Sequence, residues 1–421
     1  MANEFSKEER VAFESILEGF EDALVLSRNV SVYTTDQTMM ERANNTLWRP
    51  MPYIAQSFDG VDQSSNFVDN TQLSVPATIS YHKSSPWTMS AAQLRDALQE
   101  NRLGNAAKQK LASDINVAIS NVAALQGTLV VKVTAAASGF DDLGQAEAMM
   151  NELGVNQFER YSGISTRDYI GMASNLAGRE TLTPKALTAY EEARVGRICS
   201  FETYKLDYAY RLAAAQGGAA LTIDTQAAAS NYYVPVATSV AATGETSNVD
   251  NRYQTVTVSS TTNVAAGDAF TIAGIDACHH VTKGDTGQLK TYRVISVTDA
   301  THMVISPPII SNQGGSDAEA QYQNCIVTPS GTAAITFLNT AAAYANPFWQ
   351  MDALEILPGR FAVPTDAGAS VMRATTDNGV ELVWQKQYDI KTSKTFYRLD
   401  TEFGVCNKQP EMTGIMLFNQ T

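Results

Sequence analysis

Cys278-His279-His280, with His302 further on, is the constellation here whose residue types could bind a metal or move a proton. Thiolates and imidazoles are ordinary transition-metal ligands. On a strand, however, neighbouring side chains point to opposite faces, so His279 and His280 do not naturally share one ion. A solvated loop is the expected state of this segment. With four histidines in all, imidazole acid–base chemistry has little to draw on. The chain carries no GxxxxGK[ST] phosphate loop, no GxGxxG after a strand, no HExxH and no GxSxG elbow. Acidic pairs such as Asp141-Asp142 read as solvated helix starts. The chemistry-bearing residues therefore argue against an enzyme, and no cofactor is implied.

The elements around them are unusual. Ser90 to Gly127 reads as one very long helix. Ser90 with Gln93 makes a capping box, and Gly127 stands where a left-handed stop would sit. Leu94, Leu98, Ala107, Leu111, Ile115, Ala118, Val122 and Leu125 form one apolar stripe. Some 36 residues would span roughly 54 Å, enough to cross a whole domain, with Gly104 as a point where the rod could bend. Residues 6–27 read as an amphipathic helix with Val11, Phe13, Ile16, Leu17, Phe20 and Leu24 on one face and an acidic skin that includes Glu14 and Glu18. Between the two helices lies an extended segment with turn chemistry at Asp59-Gly60. Its return strand carries Pro76, which suits an edge or a free hairpin.

Beyond the long helix, Thr128–Val133 reads as a buried strand, and residues 142–153, 166–176 and 184–195 read as helices. From about residue 216 to 332 helix signal almost vanishes. Strands are expected at 253–259, 269–275, 290–297 and 302–305, a small antiparallel barrel inserted into an α/β host. An Ala-rich helix is expected over 333–344, then strands to the end, with a hairpin turn at Asp377-Asn378-Gly379.

With 44 acidic and 30 basic side chains, the net charge of −14 argues against a protein whose main work is gripping nucleic-acid phosphate. Residues 1–26 carry seven acidic and two basic groups and do not read as a signal peptide. No apolar run is long enough for a membrane span. Four cysteines without a CxxC pair suit free, mostly buried thiols.

This arrangement resembles the coat proteins of short-tailed enterobacterial phages of the Salmonella-phage type. The likeness is carried by Asn45-Thr46-Leu47-Trp48-Arg49-Pro50, by the run from Asn248 to Gly274, by Asn346-Pro347-Phe348-Trp349 with Asp352-Ala353-Leu354, and by Phe403-Gly404-Val405-Cys406-Asn407 with Pro410-Glu411 and Gly414. The resemblance implies an α+β, Hong Kong 97-type capsid fold with a telokin-like insertion. Residues 1–45 would be the arm, 46–82 an extended loop lying on a neighbouring subunit, and 83–135 a peripheral domain with its spine helix. An axial domain would comprise 136–221 and 333–397, the insertion 222–332, and the returning strands 398–421. It further implies pentamers and hexamers of an icosahedral virion shell, assembled in the host cytoplasm with a scaffolding protein and a portal. That shell would expand on maturation and enclose double-stranded DNA without reading its sequence. Trp48, Arg49, Asp59, Gly60 and Phe67 would serve the inter-subunit loop, and Glu14 and Glu18 a basic scaffold segment. Glu245, Asp250 and Arg252 would serve contacts of the insertion, whose candidate loop is poor in charge. The competing class is a β-rich binding or adhesion protein with an α/β domain.

Overall fold

The computed structural model describes residues 5–33, 46–90, 92–93, 97–178, 192–217, 221–223, 233–329, 332–363 and 368–421, apart from positions 6, 53, 56, 65, 68 and 69. The chain divides into two compact units. One comprises residues 1–47, 77–119 and 354–406, and the other 48–76, 120–353 and 407–421. Residues 184–191 of the helix expected over 184–195 lie outside the described residues, and 193–195 are not helical; at the expected start of the long helix, 91 and 94–96 lie outside them, and Ser90 ends a strand instead.

In the first unit, strand Lys394–Asn407 is the centre of a six-stranded sheet. It pairs antiparallel with Glu381–Asp389 on one side and with Tyr81–Ser90 on the other, in unbroken register from Lys394 opposite Ser90 to Phe403 opposite Tyr81. The arm helix, Lys7–Ala23, buries Phe13, Ile16 and Phe20. Phe5 and Phe13 lie 5.6 and 5.9 Å from the Trp384 ring, and Trp87 stacks on Tyr397 at 5.6 Å. Glu9, buried on the same face, pairs with Lys386. Asn116 receives the end of the arm: its Nδ2 donates to Ala23 O at 2.9 Å and its Oδ1 accepts from Leu26 N at 3.3 Å. Val11, expected on the apolar face, is exposed.

The long helix runs from Ala97 to Gln126 and is continuous through Gly104. The two glycines singled out by the sequence both serve close approach. A Cβ on Gly104 would lie 2.6 Å from Ile16 Cδ1 of the arm. A Cβ on Gly127 would lie 2.7 Å from Ala123 O and 3.1 Å from Gly414 N. Gly127 is not among the positive-φ residues, so the left-handed stop expected there is replaced by a strand packed too close for a side chain.

The second unit contains a six-stranded mixed sheet in the order Leu129–Lys132, Thr413–Leu417, Asn346–Gln350, Arg160–Ser165, Phe201–Leu206, Arg197–Ile198. Helices Phe140–Glu152 and Thr166–Ala177 bury Leu143, Ala146, Met150, Tyr169 and Met172 in the core they share with Phe201 and Phe348. The inserted portion is a five-stranded antiparallel sheet in the order Gln254–Thr257, His302–Ser306, Asp285–Val297, Ala269–Cys278, Ile335–Phe337. It is curled around Phe270, Ile272, Tyr292, Val294, Met303 and Ile305.

The helix expected over 333–344 is absent. Ile335–Phe337 instead adds a strand to the inserted sheet, with Phe337 opposite Phe270 and Ile335 opposite Ile272, and Ala343–Tyr344 pairs with Arg211–Leu212. Between them, Asn339 bonds Ala213 O, Asp268 Oδ1 and Ala269 N. Strand pairing and these three bonds outweigh the helix preference of five alanines, a few tenths of a kcal/mol to about 1 kcal/mol each. Conversely, Asp317–Tyr322 is helical inside the stretch read as helix-free, started by a Ser316–Glu319 capping box.

The Gly104 contact makes a prediction. Gly104→Ala gains about 1 kcal/mol of helix propensity but overpacks Ile16, at a cost of about 1–3 kcal/mol. In urea unfolding, Gly104→Ala is expected to destabilise, and Gly104→Ala with Ile16→Val to recover part of the loss. Strict additivity of the two changes would show that the contact is not why glycine stands there.

Candidate assembly surfaces

The Cys278-His279-His280 loop is docked rather than solvated, which corrects the sequence expectation. His279 N donates to Gly284 O at 2.9 Å and His280 N to Leu153 O at 3.2 Å, while the His279 ring rests against Gly154. Lys283 Nζ donates to Gln321 O and Gln323 O at 2.9 and 3.1 Å, closing the end of helix Asp317–Tyr322. Burial pulls its pKa down to about 8. His302 sits elsewhere, at the start of strand His302–Ser306, 2.8 Å from Asp299. Among the described residues, no group of three or more His, Cys, Asp or Glu side chains is placed to hold a metal ion. All four cysteines are free, and burial pushes Cys199 and Cys325 up to about 11 and 12, away from thiolate reactivity.

Glu411 is the centre to which this loop is fastened. Its carboxylate pairs with buried Lys290, accepts from Asn324 Nδ2 at 3.5 Å and lies 3.9 Å from His280 Nε2. Burial alone would raise the Glu411 pKa, but the Lys290 and His280 charges and the bonds from Lys290 and Asn324 outweigh it and hold the group below its ordinary value. For His280, burial dominates and depresses the pKa to about 4, against the pull of Glu411. Its Nε2 is buried without a hydrogen-bond partner.

The extended segment is built in two parts. At its base, strands Thr46–Pro50 and Ser74–Thr78 form a two-stranded sheet, which suits Pro76, and Ser74 also bridges Asp250. Met51 N then bonds Leu73 O at 2.9 Å. The base is seated on the insertion: Tyr322 Oη donates to Thr71 O at 2.9 Å, Thr71 N to Gln321 Oε1 at 3.3 Å, and Leu73 packs with Ile310 and Tyr322. Beyond it, the tip is shaped by polar side chains, with Gln63 Nε2 donating to Gly60 O at 2.6 Å and to Asp59 O at 3.2 Å. Gly60 takes φ +104°, a conformation that suits glycine. The apolar side chains of the tip face outward: Phe67 is 88% exposed, Val61 fully exposed and Phe58 45% exposed. Trp48 and Arg49 are half-buried in the base.

The remaining candidates separate. Glu245 lies at the tip of an exposed two-stranded hairpin, Thr238–Val240 with Thr246–Asn248. Arg252 is turned inward: it makes a two-pronged pair with Asp250 at 2.7–3.2 Å, donates to Asn407 O at 2.8 Å and lies over the Tyr253 ring at 5.0 Å. Glu14 and Glu18 lie on the exposed side of the arm helix. Sequence reasoning missed Lys290, Asn324 and Glu411 as a unit, because they are far apart in the chain and individually common. Pro410-Glu411 entered only as part of the family likeness.

Comparison with known proteins follows this geometry. The family described as P22 coat protein, gene protein 5, matches residues 1–419. Among solved structures, the chain is similar to one of Mycobacterium phage Che8, at 9% identity over 93% of this chain and 90% of that one, with a TM-score of 0.46. It is similar to the capsid of cyanophage P-SCSP1u at 11% identity over 93% and 86%, with a TM-score of 0.43. It also matches the CUS-3 coat protein I-domain at 34% identity, over 29% of this chain and 98% of that one, with a TM-score of 0.22. On the family match, which runs over nearly its whole length, the chain belongs to the P22 coat protein family and is a structural phage coat protein.

Proposed function

We propose that this chain is the major capsid subunit of a phage, assembling into pentamers and hexamers of an icosahedral shell that encloses double-stranded DNA. In this reading the fold is of the Hong Kong 97 type and the five-stranded insertion is its telokin-like domain. The observation that carries the reading is the extended loop. Its polar side chains fix a defined tip, yet among the described residues Val61 and Phe67 stand almost wholly exposed and Phe58 about half exposed. Fully burying such a side chain is worth about 1.5–3 kcal/mol, so the tip supplies several kcal/mol for association with a neighbouring copy. The arm, loop, peripheral, axial and inserted portions take the residue ranges given above, and the binding or adhesion alternative gives way to the family match.

Three refinements belong to this reading. The exposed carboxylates of Glu14 and Glu18 face a basic segment of a scaffolding protein, during assembly in the host cytoplasm around a portal. Contacts of the insertion fall to the Glu245 hairpin, since Arg252 and Asp250 already satisfy each other. Gly104 serves chiefly to admit Ile16, and a hinge at that point during expansion is secondary.

Negative-stain microscopy of the chain with its scaffolding protein is expected to show closed shells. Phe67→Ser is expected to raise the concentration needed for assembly about tenfold or more, since roughly 1.4 kcal/mol corresponds to tenfold. The unfolding midpoint of the unassembled subunit should stay unchanged. Assembly of Phe67→Ser at the wild-type concentration would remove the loop from the interface.

Charge reversal of Glu14 and Glu18 to lysine is expected to weaken co-assembly with scaffold and flatten its salt dependence. Unaltered co-assembly and an unaltered salt slope would sink the arm–scaffold contact.

A further inference from the structure

We infer that His280 is a proton-operated latch that holds the base of the extended loop on the inserted domain. A small cavity of about 40 Å³, room for one water, lies at this junction. Met51, Pro52, Ile54 and Leu73 of the loop base line one side of it, and His280, Asn324 and Glu411 line the other. The His280 side chain is 12% exposed, and its Nε2 is buried with no hydrogen-bond partner, 3.9 Å from Glu411 Oε2.

The charged groups around the ring are unevenly matched. Glu411 is the carboxylate facing it, and that carboxylate already pairs with Lys290. Lys283 and His279 also act on the ring, and both oppose a positive charge there. Arg252, which lines the same cavity, is neutralised by Asp250. A proton on His280 therefore adds a cation to a site whose one anion is engaged. Such a charge is relieved by admitting water, and the wall that gives way is the weakest one. The other walls are turns and short segments bonded into the body, with His280 N on Leu153 O, Asn324 on Ile310 N and Pro308 O, and Glu411 on Lys290. Among the described residues, the loop base is held by hydrogen bonds at Thr71, a bridge between Ser74 and Asp250, and the packing of Met51, Ile54 and Leu73 on Ile310 and Tyr322.

The direction with pH follows from the depressed pKa. In the closed state His280 titrates at about 4, against its ordinary 6.5 when open to water. The closed state is fully favoured above pH 6.5 and loses ground as pH falls toward 4. Below that value the effect levels off. Between pH 6.5 and 4.5 the closed-to-open ratio falls roughly thirtyfold.

Hydrogen exchange on the full, unassembled chain, corrected for intrinsic rates, tests the latch without any shell being formed. Segments 48–52 and 70–76 are expected to lose protection roughly thirtyfold over that range. Strand Ala269–Cys278 should keep its protection, and His280→Gln should abolish the response of the loop segments. An unchanged acid response in His280→Gln would overturn the latch, as would loss of protection in the strand together with the loop. Should His280→Gln fail to fold, imidazole titration by NMR in the wild-type chain decides. A His280 midpoint coinciding with loop release supports the latch, and separate midpoints refute it.

Discussion

One buried carboxylate, Glu411, holds the closing segment of the chain to the inserted sheet. Taking a carboxylate out of water costs several kcal/mol, and the cost is offset only when a cation and well-placed donors meet it. Here Lys290 arrives from strand Asp285–Val297 and Asn324 from the segment after helix Asp317–Tyr322. Asn324 is fixed in turn, with Ile310 N on its Oδ1 at 3.1 Å and Pro308 O accepting from its Nδ2 at 2.9 Å. Three distant stretches of sequence thus become mutually dependent. Removal of Lys290 or Glu411 would leave the other's charge uncompensated, which ranks among the most damaging changes a core can suffer.

The consequences run outward from that pair. The loop 278–284 lies over it and reaches Leu153 at the end of one helix and Gln321 and Gln323 at the end of another. That second helix carries Tyr322, which holds Thr71 at the base of the extended loop. The exposed tip is therefore connected to the core through a short series of polar contacts and a small apolar cluster of Leu73, Met51 and Ile54 on Ile310 and Tyr322. A segment attached in this way keeps a defined shape at its root and remains one of the less costly parts of the structure to move.

Much of the architecture was legible because it is periodic or punctuated. The inserted strands stand near their expected positions because Ala266-Gly267-Asp268 and Asp299-Ala300 are turn chemistry between alternating apolar residues. Pro76 correctly excluded its strand from a central sheet. Failures arose where a tertiary partner decides. Alanine content pointed to a helix over 333–344, but Phe270 and Ile272 supplied an edge for Ile335–Phe337 to join. Ser316 and Glu319 formed a readable capping box that was passed over inside a β-rich stretch. Of the candidate site, the family likeness named Trp48, Arg49, Asp59, Gly60 and Phe67, of which Phe67 stands exposed and Trp48 and Arg49 are half-buried. The state of His280 was not foreseen, since nothing local to Cys278-His279-His280 shows that Glu411 and Leu153 will close over it.

A coat subunit must fold alone while keeping apolar surface uncovered for its neighbours. Those demands conflict, because exposed phenylalanines also invite nonspecific association. In this chain the conflict is eased by where the apolar groups stand. Phe58, Val61 and Phe67 are gathered at the tip of one loop, with Asp59 and Asp62 among them, while the arm helix buries Phe13, Ile16 and Phe20 within its own unit. Acidic groups beside the apolar ones, on a chain of net charge −14, disfavour contact between like tips and leave docking on a differently charged face as the favourable outcome. On the proposed reading, single-copy stability and association fall to different residues, which is why a change at Phe67 is expected to act on one without the other.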